Sequence, residues 1–137
     1  MCRAMFELGP PVRVTAGPTI EGRPTVEYLF RRASGTGYVD RHVALLQAHG
    51  PDIRILWRRQ AAEYSSLPPH LIGPHADKGR VFRWKFSKNG RKIWVTGTYT
   101  VGDIVNRWEG IMTGKTKVLR PETYCYSSPK GRYLACA

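Results

Sequence analysis

Acidic side chains are scarce in this chain: 10 Asp and Glu stand against 22 Lys and Arg, a formal charge of +12 over 137 residues. A charge of that size repels itself in a compact state and exceeds what solubility requires, so it points to a polyanionic partner, nucleic acid first. The shortage of carboxylates also excludes the clustered acids that metal-assisted hydrolysis needs. Long apolar runs are missing too. Nothing approaches the roughly 18 residues of a membrane helix, and the first residues lack the charged-then-apolar order of a signal peptide. A soluble, unexported protein without a membrane partner is expected.

Cysteine is limited to Cys2, Cys125 and Cys136, with no Cys-x-x-Cys pair. This odd set is expected to be reduced thiols in an intracellular protein. A Cys2 nucleophile would need a base and an oxyanion hole, and neither is recognisable. The four histidines, His42, His49, His70 and His75, contain no His-x-x-x-His pair, so no metal site is expected. Glycine-rich phosphate loops are absent. With no catalytic constellation, cofactor or small-molecule substrate indicated, the chain reads as a binder and not an enzyme.

What is present is a dense basic segment. Seven of the fifteen residues from Lys78 to Lys92 are Lys or Arg. The segment runs Val81-Phe82-Arg83-Trp84-Lys85-Phe86-Ser87-Lys88, then Asn89-Gly90, then Arg91-Lys92-Ile93-Trp94-Val95-Thr96-Gly97-Thr98. Asn-Gly between alternating runs predicts a hairpin with a type I′ turn, which takes positive φ at both central residues. That turn pairs Lys88 with Arg91, Phe86 with Ile93, Lys85 with Trp94, Trp84 with Val95 and Arg83 with Thr96. Strand alternation then puts Phe82, Trp84, Phe86, Ile93 and Val95 on one face. Arg83, Lys85, Ser87, Lys92, Trp94, Thr96 and Thr98 fall on the other. Cations, hydroxyls and one aromatic on a sheet face suit a phosphate backbone.

With 42% hydrophobic residues the chain is expected to fold as a single domain, 1–137. Residues 1–24 read as an extended arm around a short strand at Val12-Arg13-Val14. Val26 to Arg32 reads as a strand with a basic end. Between Tyr38 and His49, Val39, His42, Val43, Leu45 and Leu46 recur at helical spacing, and Gly50-Pro51 marks the junction with a second helix. Ile53, Leu56, Trp57, Gln60, Ala61 and Tyr64 form the stripe of that second helix. After the hairpin, Thr100-Val101-Gly102-Asp103 has the form of a capping box, and Ile104, Trp108, Ile111 and Met112 continue it as a helix ending near Gly114. Lys117-Val118-Leu119 reads as a last strand and 120–137 as an irregular tail. The expected class is α+β, a mainly antiparallel sheet backed by helices with its basic face exposed.

Lys, Arg, Ser and Thr dominate the polar face, which favours phosphates and 2′-hydroxyls across the shallow minor groove of double-stranded RNA. Trp94 offers a stacking surface for an unpaired base, or packs against a neighbour.

From Val26 to Lys115 the chain resembles the RNA silencing suppressors of the tombusvirus family, both the nineteen-kilodalton tombusvirus type and the shorter fourteen-kilodalton aureusvirus type. The resemblance lies in Phe30-Arg31-Arg32, in Arg41-His42-Val43, in Ala61-Ala62-Glu63-Tyr64, in the hairpin and in Val95-Thr96-Gly97-Thr98. It implies a homodimer with a continuous concave basic sheet that holds duplex RNA, including small interfering RNA, by sugar and phosphate contacts in the host cytoplasm. By position it implies RNA-binding roles for Arg83, Lys85, Ser87, Trp94, Thr96 and Thr98, and for Arg31 and Arg32 on the first strand. Those hairpin positions are the ones that the register places on the polar face. Residues 1–24 lack the tryptophans with which longer members gauge duplex length, so binding to short and long duplexes alike is expected. Two alternatives remain: a common double-stranded RNA-binding domain fitted from Tyr38 onward with Gly73-Pro74-His75 as its minor-groove loop, and a basic module for an acidic protein.

Overall fold

The computed structural model describes residues 8–35, 38–66, 77–106 and 111–137. Every element among them is a strand: β1 (Pro11–Ala16), β2 (Thr25–Gly35), β3 (Tyr38–His49), β4 (Asp52–Ser65), β5 (Asp77–Phe86), β6 (Lys92–Asn106), β7 (Ile111–Val118), β8 (Glu122–Ser127) and β9 (Arg132–Ala135). All pairings are antiparallel, and strands adjacent in sequence are mostly adjacent in space. The exception is instructive. β7 pairs with Thr98–Asn106 of β6 and β8 with Lys92–Val95, so both lie on the same edge of β6. The Leu119 N–H donates to the Gly97 carbonyl at 2.9 Å between them. They form one strand interrupted around Arg120-Pro121.

β4 and β5 pair only where Ala62–Ser65 meets Lys78–Val81. Beyond that corner the meander folds over into two layers, β1 to β4 and β5 to β9. Trp57 of β4 meets Trp84, Phe86 and Tyr124 of the second layer at ring-centroid distances of 6.4, 6.2 and 5.7 Å. The Arg59 guanidinium lies 3.9 Å from the Phe82 ring centre, and the Trp84 indole N–H donates to Glu27 of β2. Val43, Leu45, Leu56 and Trp57 close the interior from one side, and Ile93, Val95 and Tyr133 from the other. Each aliphatic side chain so buried contributes about 1.5–3 kcal/mol. A second apolar cluster, Tyr28, Phe30, Ala44 and Leu46 with Leu8, lies on the opposite face of β2 and β3.

The helix-backed α+β expectation is therefore overturned, and each expected helix fails for its own reason. β3 is buried on both faces, Val43 and Leu45 inward and Ala44 and Leu46 outward. Its apolar residues run together, and a doubly buried strand cannot then be told from a buried helix by period. β4 carries two bulges. Arg41 faces Ala62 while His42 faces Gln60, and Leu45 faces Trp57 while Leu46 faces Ile55, so Ala61 and Leu56 are extra residues. Each bulge shifts the alternation by one, which turns a strand pattern into the 3,1,3,1 spacing of the expected helical stripe. The third helix is replaced by the far half of β6. Thr100 Oγ1 lies 3.0 Å from Thr116 Oγ1 instead of capping anything, and the Ile104 N–H donates to Asp77 at 2.9 Å. Trp108 lies outside the described residues.

The expected irregular tail holds β8 and β9, and the expected free thiols Cys125 and Cys136 form a disulfide with a Cα separation of 5.2 Å. Their side chains lie on one face of neighbouring strands, where Cys125 pairs with Leu134 and the Cys136 N–H reaches the Thr123 carbonyl at 3.0 Å. The strand expected at Val12-Arg13-Val14 lies within β1, and the strand expected at Val26 to Arg32 lies within β2.

Candidate nucleic-acid interface

The β5–β6 hairpin forms with the register read from its sequence: Arg83 opposite Thr96, Trp84 opposite Val95, Lys85 opposite Trp94 and Phe86 opposite Ile93. Its turn differs from the type I′ expectation. Only Gly90 has positive φ, at 69°. The Gly90 N–H returns to the Ser87 carbonyl at 2.9 Å, and Asn89 Oδ1 accepts the Arg91 N–H at 3.0 Å. The asparagine side chain thus closes an Asx-type turn, and a wider loop ends on glycine without altering the register beyond Phe86.

The two faces divide as the alternation requires. Ile93 and Val95 are sealed in the interior, whereas Arg83, Lys85, Lys92, Trp94 and Thr96 are exposed and Thr98 is half-buried. The polar set lies on the outer surface of the second layer, turned away from the core. No acidic residue occurs from Lys78 to Val101, and the acids of the two strands, Asp77 and Asp103, lie at the far end from the turn. Beside them a groove of about 480 Å³ runs between Arg83 and Val81 on one flank and Met112, Thr116 and Val118 on the other, with Thr96, Thr98 and Thr100 along β6. Threonine hydroxyls along a cationic groove can donate to phosphate oxygens and exchange hydrogen bonds with ribose hydroxyls.

Three expected site residues are placed differently. Ser87 sits in the turn, its hydroxyl donating to Asn89 at 2.8 Å and accepting the Lys92 N–H at 2.9 Å. Arg31 and Arg32 belong to β2 in the other layer, and Arg32 lies 3.7 Å from Asp40. Their separation follows from the fold, because β3 and β4 intervene in the strand order. Two groups escaped the sequence reading. Arg13 of β1 shares a cleft of about 340 Å³ with Arg83, Glu27 and Trp84, a contact made only by folding one layer over the other. Thr100 and Thr116 extend the hydroxyl row, and the continuous alternation Trp94, Thr96, Thr98, Thr100 was the available signal for the first of them.

Among the described residues no group of three His, Cys, Asp or Glu could hold a metal ion. His42 lies 3.3 Å from Asp40, and burial pushes its imidazole below the usual histidine range against the pull of that carboxylate. His49 is bonded to Gln47 at 2.6 Å. His70, His75 and the loop Gly73-Pro74-His75 lie outside the described residues. No protein-family model matches this chain, and neither curated proteins nor solved structures include a significant match.

Proposed function

We propose that this chain is a non-enzymatic RNA-binding protein that takes double-stranded RNA along the outer face of β5 and β6 by sugar and phosphate contacts, independently of sequence. The observation that carries this reading is the cationic face, built from a stretch without Asp or Glu between Lys78 and Val101, on which Arg83, Lys85 and Lys92 flank exposed Thr96 and the half-buried Thr98. Cations at strand spacing neutralise phosphates, and hydroxyls between them suit ribose. Sequestration of small interfering RNA in the host cytoplasm, and so suppression of silencing, is the biological role in this proposal. The resemblance that suggested that role runs through the segments expected to be helices, where β3 and β4 stand, so the reading rests on the basic face. A helix-first double-stranded RNA-binding domain would need its opening helix at Tyr38, where β3 begins.

A homodimer belongs to the same proposal. Among the described residues β7 pairs on one edge only, and its Ile111 and Val118 are 45% and 74% exposed, so it offers a second copy both backbone groups and apolar surface. A monomeric mass in solution with RNA bound removes the dimer from the proposal and leaves the binding face.

The test is a gel-shift titration against duplex RNA of several lengths, with single-stranded RNA and duplex DNA of matched sequence. Tight binding to duplex RNA at every length is expected. Equal affinity for all three reduces the face to a generic cationic surface. Preference for the single strand transfers the site to Trp94, whose 43% exposure favours stacking as the second reading.

A further inference from the structure

The hairpin tips β5–β6 and β8–β9 lie side by side at one end of the second layer. The Tyr126 N–H donates to the Arg91 carbonyl at 2.8 Å, and Arg91 Nη1 donates to Ser128 Oγ at 3.4 Å. Each turn holds a positive-φ glycine, three residues after Ser87 in one and four after Ser127 in the other. Gly90 and Gly131 have φ of 69° and 65°, and the N–H of each returns to the carbonyl of Ser87 or Ser127, at 2.9 and 2.7 Å. Only a residue tolerant of positive φ ends such a turn without strain. The next residue after each glycine is arginine. Together the tips carry Lys88, Arg91, Lys92, Lys130 and Arg132, all exposed, and residues 87–92 and 127–132 contain no Asp or Glu.

Exposed like charges on adjoining tips repel one another and favour an anion between them; the Glu21 carboxylate, hydrogen-bonded to Tyr126, lies beside the cluster. This cluster is also held in place. The Cys125–Cys136 disulfide closes the β8–β9 hairpin, and the Tyr133 hydroxyl donates to the Gly90 carbonyl, tying the second tip to the first. Lys92 belongs to both surfaces, since it begins β6 on the outer face and pairs with Cys125. The basic face and the tips are therefore continuous.

We infer that the disulfide-closed β8–β9 hairpin is the second half of the RNA site: the phosphate backbone leaves the outer face at Lys92 and crosses the paired tips between Lys88, Arg91, Lys130 and Arg132. This rests on the proposed RNA-binding reading and extends it, giving the C-terminal segment a binding role and fixing the direction in which the footprint continues. Phosphate is the group recognised, because the tips present charges and serine hydroxyls but no exposed aromatic for stacking.

The decisive experiment measures duplex RNA affinity as a function of salt for the full chain, for Lys130→Gln with Arg132→Gln, and for Arg83→Gln with Lys85→Gln, with circular dichroism to show that each variant is folded. Loss of two phosphate contacts lowers the log-log salt slope by about two. A drop of that size in both double variants supports the inference. A drop in the Arg83 and Lys85 variant alone overturns it while leaving the proposed function standing. No drop in either overturns both. If the tip variant keeps its RNA slope but loses binding to polyglutamate, the tips serve an acidic protein partner and the inference fails.

Discussion

Lys85 stands directly opposite Trp94 across the β5–β6 ladder, on the face turned away from the core. A cation and a flat indole side by side can hold the phosphate and base of one unpaired nucleotide, whereas a duplex keeps its bases stacked and presents only backbone. Trp94→Ala separates these uses. Single-strand affinity is expected to fall by about 1–3 kcal/mol, with duplex affinity unchanged within about twofold. Fluorescence titration of both ligands checks this, and an equal loss on the duplex would make Trp94 part of duplex recognition.

Replacing Arg83 and Lys85 together by Ala is expected to weaken binding to every duplex sequence by the same factor. Both side chains are exposed on the outer face, so they touch phosphates wherever a duplex lies, and phosphate contacts carry no sequence information. Thermal unfolding should move little, because surface substitutions away from packed features stay within about 0.5 kcal/mol. A variant that loses one sequence and keeps another would show base reading at this face.

The hairpin was legible because an Asn-Gly turn and two alternating runs agree on one register, and the ladder from Arg83 and Thr96 to Phe86 and Ile93 follows it. The layers around it were not legible, since both bulges in β4 imitate helical spacing at Leu56-Trp57 and Gln60-Ala61. Distant pairings decide such cases. Ala62 is a strand residue because Arg41 and Val81 lie on either side of it, and neither is near in sequence. The Cys125–Cys136 bridge was hidden likewise, because the count of cysteines carries no information about which two end on adjacent strands.

Trp57 is 4% exposed and lies against Trp84, Phe86 and Tyr124, yet its indole N–H has no hydrogen-bond partner among the described residues. Truncation and removal of the donor should therefore act differently. Trp57→Ala opens a cavity between the layers and is expected to cost about 3–5 kcal/mol. Trp57→Phe loses some volume but also an unsatisfied buried donor, which itself costs about 1–3 kcal/mol, so its net effect should be much smaller. Urea denaturation of both variants checks the contrast, and equal losses would mean that the donor is satisfied in solution.

Reduction should loosen the C-terminal hairpin. Cys125 and Cys136 are 11 residues apart in sequence, and closing a loop of that size stabilises by roughly 3 kcal/mol in the chain-entropy account. The strand it secures places Tyr133 in the core. A lower denaturation midpoint is expected with dithiothreitol, matched by Cys136→Ser without it. An unchanged midpoint would show that packing alone holds β9, and would remove any conflict with a reducing cytoplasm.

The partly buried Tyr124 and the buried Tyr133 set an alkaline limit. Burial pushes Tyr124 up to about 12, helped by its hydrogen bond to Glu122, and burial with the neighbouring Tyr126 pushes Tyr133 to about 12. In the unfolded chain a tyrosine titrates near about 10. The folded state thus keeps two protons that the unfolded state releases, so stability from both phenols is fully present below about pH 10 and is lost as pH rises toward about 12. Unfolding midpoints should fall steeply through that window. Tyr124→Phe removes one of the two protons and should flatten the fall without abolishing it. Midpoints that decline no more steeply above pH 10 than below it would show that solvent reaches both hydroxyls in the folded protein, contrary to an interior closed between the two layers.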